Sequence, residues 1–310
     1  MIVTLTLNPS VDRTVAVRRL VRGEVHRATS SRVDAGGKGI NVSRALAGHR
    51  IRTRAVVALG GAEGRQLAAL LAAVPVDVVA VPIAGAIRSN VTVVEPDGVT
   101  TKLNEPGAAL TPDEVSRLLA AVRAAARDAD WLVAGGSLPP GVPADFYGLL
   151  PAAVGPAVRV AVDTSGAALA LALPGRPHLV KPNTDELAEF TGVHPRTIAD
   201  VVEGCRRMRA AGAGAVLASL GADGAVLLDA DGACHARCRA TVPRSSVGAG
   251  DALLAGFLAA GGAGPAALAE AVAWGAAAVA LPGSRMPGPG DVHREEVVLT
   301  PSADLTLTIG

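Results

Sequence analysis

A mainly parallel β-sheet covered by helices on both faces, with a small β lid, is the architecture this chain predicts. Three observations predict it. Short apolar, β-branched runs alternate with Ala/Leu-rich stretches of helical spacing along most of the 310 residues, the signature of βα units on a parallel sheet. Hydrophobic residues make up 50% of the chain and charged residues 18%, so a large core is available and global disorder is excluded. Two stretches break the alternation, and both have strand character. Aromatics are only 2%, so the core has to be built from Ala, Val and Leu.

The elements follow in order. The first strand is expected over Ile2–Leu7, after which residues 13–34 alternate polar and apolar positions without a good helix. A helix over Val42–Ala47, a strand over Arg54–Leu59, a helix over Arg65–Ala73 and a strand over Val78–Val81 come next. Residues 90–103 read as a hairpin turning at Asp97-Gly98,. With residues 13–34 it would form a small sheet standing off the main body, its strands drawn from about 13–34 and 88–104. The alternative is a pair of static edge hairpins. Thr111-Pro112-Asp113-Glu114 is a helix start, with a capping hydroxyl, proline in the first turn and acids at the positive end. That helix should run over Pro112–Arg127. Strands are then expected at Trp131–Ala134, Val158–Val162, Leu179–Val180, Ala215–Ser219 and Ala225–Leu228. Helices are expected at Ala144–Leu150, Asp185–Phe190, Ile198–Ala211, Asp251–Ala260 and Ala266–Ala280. Gly283 to Asp291 reads as a loop. There is no internal repeat or low-complexity linker, so residues 1–310 read as one domain.

A formal net charge of +1 and the lack of a basic block argue against nucleic-acid binding,. Three cysteines in so long a chain suggest a reducing compartment,. Cys234-His235-Ala236-Arg237-Cys238 has no second ligand pair at finger-like spacing and reads as strand rather than metal site,. A strand at residues 2–8 leaves no room for a signal peptide, and the longest apolar stretch, Ala271 to Leu281, is too short for a bilayer,. A cytoplasmic protein without a membrane partner is expected.

The chemistry concentrates in glycine-rich turns. Gly248-Ala249-Gly250 runs into an apolar helix with Asp251 at the junction. Free amides at a helix start attract an anion, and glycines let it approach closely. A carboxylate beside such a turn suits phosphoryl transfer: amides hold the moving group while the carboxylate orients the attacking hydroxyl. The alternative is that Asp251 merely caps the helix. Gly36-Gly37-Lys38-Gly39-Ile40-Asn41 is a second such turn, where Lys38 adds a cation beside free amides,. It is not a Walker loop, since Gly39 follows Lys38, and no Gly-x-Gly-x-x-Gly occurs anywhere,. A tight turn with a solvated lysine is the alternative.

Asp12 follows the first strand and can grip sugar hydroxyls or cap a turn,. Arg88-Ser89-Asn90 enters the lid, where the arginine can clamp a phosphate or stay solvated,. Gly135 to Gly141 follows a strand, so its backbone and Ser137 should face the ligand cleft that parallel sheets form at their carboxyl edge,. Lys181-Pro182-Asn183 leads to Glu186, and oxygen ligands there can reach a hydrated Mg²⁺ held on phosphates or serve as caps,. Ser219 to Gly224 links two strands in a tight turn.

Taken in order, these segments resemble the ribokinase-like carbohydrate kinases of the PfkB family, from Thr4-Leu5-Thr6-Leu7-Asn8-Pro9 to about Gly283-Ser284-Arg285. The resemblance implies an ATP-dependent phosphosugar kinase needing Mg²⁺, foremost a 1-phosphofructokinase making fructose 1,6-bisphosphate from fructose 1-phosphate. Tagatose-6-phosphate kinase and 6-phosphofructokinase are the alternatives, and a non-catalytic sugar-phosphate sensor is a remoter one. Asp251 then matches the general base, and the amides of Gly248, Ala249 and Gly250 match the anion hole. Asp12, Gly36, Gly37, Asn41 and Ser137 match sugar contacts, with Lys38, Arg88 and Asn90 near the substrate phosphate. Lys181, Asn183, Ser219, Gly221, Gly224 and Ser246 match the nucleotide side, with Glu186 toward Mg²⁺ through water. Pairing through lid strands into a homodimer is also implied. Lys38, and Glu24 where the minor 6-phosphofructokinase carries a lysine, favour 1-phosphofructokinase or tagatose-6-phosphate kinase activity. Pro106-Gly107-Ala108-Ala109-Leu110 resembles the 6-phosphofructokinase version. Val297 to Gly310 ends in Thr/Leu alternation where relatives finish with a helix.

Overall fold

The computed structural model describes residues 1–96, 98–238 and 243–310. Its first half comprises β1 (Ile2–Thr6), β2 (Ser10–Ala16), β3 (Ser30–Gly36), α1 (Lys38–Gly48), β4 (Thr53–Leu59), α2 (Gly61–Ala72), β5 (Asp77–Pro82), β6 (Arg88–Val94), β7 (Thr100–Leu103), α3 (Pro112–Ala125) and β8 (Trp131–Gly135). There follow α4 (Phe146–Val154), β9 (Arg159–Asp163), α5 (Gly166–Ala172), β10 (Leu179–Val180), α6 (Thr184–Thr191), α7 (Ile198–Ala210) and β11 (Ala215–Ser219). The last elements are β12 (Ala225–Leu228), β13 (Ala233–Cys238), α8 (Ala249–Ala259), α9 (Gly264–Val279) and β14 (Val297–Thr300).

Among the described residues the main sheet has ten strands in the order β14-β13-β12-β11-β10-β9-β8-β1-β4-β5. It is parallel from β5 through β11. The last three pairings, β11 with β12, β12 with β13 and β13 with β14, are antiparallel. β1 is buried at all five positions, as a central strand covered on both faces must be,. Each face has its own apolar core. Leu118, Val122, Tyr147, Leu187 and Val201 lie in one. The other holds Leu46, Leu254, Phe257, Leu268 and Trp274, from α1, α8 and α9.

Small residues let those helices close up. A Cβ on Gly256 would lie 2.8 Å from Trp274 Cγ and 2.9 Å from the Glu270 carbonyl. The Trp274 ring in turn stacks on His49 with centroids 3.6 Å apart.

The lid is a four-stranded sheet in the order β3-β2-β6-β7. β2 pairs antiparallel with β3 and parallel with β6, and β6 pairs antiparallel with β7. The hairpin closes through Glu95, whose amide donates to the Val99 carbonyl at 2.9 Å. Of the expected Asp97-Gly98 turn, Gly98 adopts φ 87°, while Asp97 lies outside the described residues. Cys234 to Cys238 form most of β13, as a strand reading requires. Among the described residues no group of three or more His, Cys, Asp or Glu side chains is placed to hold a metal. No described helix is long and apolar enough to cross a membrane.

Two elements were not anticipated. α5 is a seven-residue Ala/Leu helix after β9. β14 extends the sheet edge with Val297-Val298-Leu299-Thr300 where the tail had no assigned structure.

Candidate active site

The carboxyl ends of β1, β8, β9, β10 and β11 open on one edge, and the glycine-rich turns gather there. Gly37 precedes α1 with φ 128°, a value that favours glycine,. Lys38 begins the helix and Asn41 lies one turn on, buried. Gly248 precedes α8 with φ 78°. Ala249, Gly250 and Asp251 are therefore the first three helical residues, and Asp251 is not the cap. Its carboxylate instead accepts a hydrogen bond from Asn41 Nδ2 at 2.9 Å. That bond joins the two glycine bends across one crevice. A Cβ on Gly248 would meet Met286 Cε at 2.5 Å, so Met286 lies against the turn.

Beside this junction is a cluster that spacing alone did not reveal. Asp163, at the end of β9, is 2% exposed. Lys38 Nζ donates to its Oδ1 at 2.6 Å, and Lys181 Nζ lies 3.2 Å from its Oδ2. Lys38 Nζ is also 3.8 Å from Glu186 Oε1. A Cβ on Gly250 would lie 3.3 Å from Lys181 Nζ, which places this cation against the anion turn.

The charges tune one another. Burial acts to raise the Asp163 carboxyl, but the ammoniums of Lys181 and Lys38 outweigh it and hold the group below the usual carboxylate range. Burial acts to lower Lys38, and the charges of Asp163 and Glu186 overcome that and raise it. Asp251 is pushed up to about 6, first by burial and then by the negative Asp163. A carboxylate of this kind accepts a proton near neutrality far better than an exposed one.

A polar pocket forms where the lid meets the main sheet. Asp12 Oδ1 accepts from Ser10 Oγ at 2.6 Å and from Asn90 Nδ2 at 3.0 Å. Any Cβ at Gly36 would strike the same carboxylate, so the glycine keeps Asp12 accessible to its neighbours. Asn8 Nδ2 donates to Ser137 Oγ at 3.1 Å. Arg88 donates to the Asn8 carbonyl at 3.1 Å and the Glu105 carbonyl at 3.2 Å, while its buried Nε has no hydrogen-bond partner. A cavity of about 570 Å³ is lined by Arg88, Ser137, Thr164 and Ser165, among others. Lys38 does not share the partners of Arg88: it bonds to Asp163 at the junction.

The remaining predicted residues lie at or just past the carboxyl ends of β10 and β11, except Ser246, which precedes α8. Asn183 caps α6, accepting from the Glu186 amide at 2.8 Å, while Glu186 Oε2 accepts from the Asn183 amide at 2.9 Å. The capping alternative is thus realised for this pair, and Glu186 Oε1 still faces Lys38. Ser219 bridges to Asn183. Gly221 and Gly224, with φ 60° and 85°, shape the turn between β11 and β12. Ser246 precedes the anion turn, its carbonyl accepting from the Ala249 amide at 3.4 Å.

The chain is similar over most of its length to known phosphofructokinases. The chain is 42% identical over 263 residues to a 1-phosphofructokinase of Rhodobacter capsulatus, covering 83% of this chain and 82% of that one. It is 36% identical over 257 residues to the ATP-dependent 6-phosphofructokinase isozyme 2 of Escherichia coli, covering 82% and 83%. The crystal structure of phosphofructokinase-2 from Escherichia coli in complex with substrates and products superposes with a TM-score of 0.87 at 34% identity, over 94% of this chain and 96% of that one. The profile of the pfkB family carbohydrate kinases matches residues 5–287. With a family match over most of its length and a relative at 42% identity, the chain belongs to the pfkB family of carbohydrate kinases.

Proposed function

We propose that this kinase transfers the γ-phosphoryl group of ATP to fructose 1-phosphate, giving fructose 1,6-bisphosphate. The observation that carries the reading is the Asn41–Asp251 hydrogen bond, which joins the acceptor-side helix to the anion turn. Asp251 takes the proton of the attacking hydroxyl. The amides of Gly248, Ala249 and Gly250 hold the group in transfer, a preorganised arrangement that costs no reorganisation during reaction. Asp12, Asn41, Asn90 and Ser137 hold sugar hydroxyls, with Gly36 and Gly37 allowing close approach. Arg88 takes the acceptor's phosphate beside the cavity it lines. Lys38 and Lys181, both bound to Asp163, supply positive charge where phosphates converge. Lys181, Asn183, Ser219, Gly221, Gly224 and Ser246 form the nucleotide side.

The donor set fits a hydrated Mg²⁺. One oxygen of Glu186 is taken by its cap, and the other faces the cluster. Mg²⁺ keeps several waters and leans on substrate phosphates, so a full protein cage is not needed. When bound, it spreads the negative charge of the phosphates.

Similarity to the 1-phosphofructokinase of Rhodobacter capsulatus supports fructose 1-phosphate as acceptor. A 6-phosphofructokinase reading is favoured by the likeness to isozyme 2 of Escherichia coli. With ATP and Mg²⁺, kcat/KM is expected to be at least tenfold higher for fructose 1-phosphate than for tagatose 6-phosphate or fructose 6-phosphate. A higher value for fructose 6-phosphate would install the second reading.

A further inference from the structure

Residues 301–310 leave the sheet edge after β14 and run back over the molecule. The Ala303 amide donates to the Ala233 carbonyl at 3.0 Å. The Leu307 carbonyl accepts from the Ile198 amide and the Ile309 amide donates to the Arg196 carbonyl, both at 2.9 Å. Thr308 pairs with Thr197 as an antiparallel bridge. Leu307 and Ile309 pack on the apolar core. The segment ends at the turn between β11 and β12, where the Gly310 amide donates to Asp223 Oδ2 at 3.1 Å.

That turn is gripped from the other side as well. Nε2 of the buried His235 donates to the Asp223 carbonyl at 2.8 Å. Any Cβ at Gly224 would strike the Ala236 carbonyl, so the turn lies directly on β13. Two glycines at positive φ make the turn costly to order, because they have the most conformational freedom to lose,. Ordering it before a ligand arrives removes that cost from binding.

We infer that residues 303–310 are a strap that holds the Gly221–Gly224 turn in its nucleotide-accepting shape, with Asp223 and Ile309 as positioning residues. The inference rests on the reading of Gly221 and Gly224 as nucleotide contacts. It separates the two substrates: loosening the strap weakens the nucleotide and leaves the acceptor sugar alone. Binding linkage also runs in reverse, so nucleotide must tighten the strap by the same factor.

The test uses the full chain. Asp223→Ala and Ile309→Asp are each expected to raise KM for ATP three- to tenfold, with KM for fructose 1-phosphate unchanged. In the unsubstituted protein, saturating ADP is expected to slow amide hydrogen exchange at Ile309 and Gly310 several-fold. Gly221→Val serves as reference. If it raises KM for ATP while both strap variants leave it unchanged, the strap is ruled out and the nucleotide turn stands. If Gly221→Val has no effect either, the nucleotide reading falls and the strap with it. Should Ile309→Asp fail to fold, the exchange measurement decides, and unaltered exchange with ADP overturns the proposal.

Discussion

Asp251 serves two opposed ends. In the proposed mechanism it must lose its proton, yet burial and the negative Asp163 hold that proton up to about 6. For a carboxyl raised in the folded state, the folded chain binds the proton more tightly than the unfolded chain does. Its stabilising contribution is complete below the unfolded value of 3.8 and is lost as pH rises through about 6,. The ionised group therefore costs stability at neutral pH, where the proposed mechanism needs it. Two outcomes follow: kcat/KM should fall about tenfold per pH unit below about 6, and Asp251→Asn should lose at least a hundredfold in kcat while raising Tm at pH 8. No gain in Tm at pH 8, or near-normal turnover, would contradict this account of the residue. Asp251 was legible because a glycine turn precedes it and an apolar helix follows. Asp163 was not: it ends an ordinary strand run, and only folding brings Lys38 and Lys181 to it from 125 residues before and a short distance after.

Helix spacing decides what happens one level up. α8 carries Gly256 at its closest approach to α9, and an added methyl would press on the Trp274 ring and the Glu270 backbone. Neither can yield easily, since Trp274 is held by His49 on one side and by a 2.7 Å bond from Nε1 to Glu270 Oε1. Gly256→Ala is expected to cost ~1–3 kcal/mol by overpacking, read as a Tm several degrees lower, with both KM values unchanged. An unaltered Tm would mean the helices can part freely. Elements with strong period and clear caps, such as α3 with its Thr111–Glu114 capping box, could be read directly. α5 could not, because seven Ala/Leu/Gly residues are too few to show a period,. β14 was hidden for another reason: its partner strand is antiparallel and lies about sixty residues earlier, so no βα rhythm announces it.

Among the described residues the molecule joins a ten-stranded sheet to a four-stranded lid. The lid bears exposed apolar side chains, Val25 at 90% and Leu103 at 61%, beside its outer strands. If the homodimer implied by the sequence resemblance forms through the lid, sedimentation at micromolar concentration should report twice the chain mass. Leu103→Asp should shift it toward one chain mass; if the pair persists, another surface holds it. The lid's strands were readable from alternation, but their order was not, since β2 pairs with β6 across 78 residues.

The tie between Asn41 and Asp251 spans 210 positions. During synthesis the acceptor-side helix has long left the ribosome before its counterpart is made. If Asp251 is the base, an unfinished polypeptide holds one jaw of the machine without it and should not squander ATP while it waits. On the proposed mechanism, catalytic competence has to wait for the last fifth of the chain, which carries Asp251.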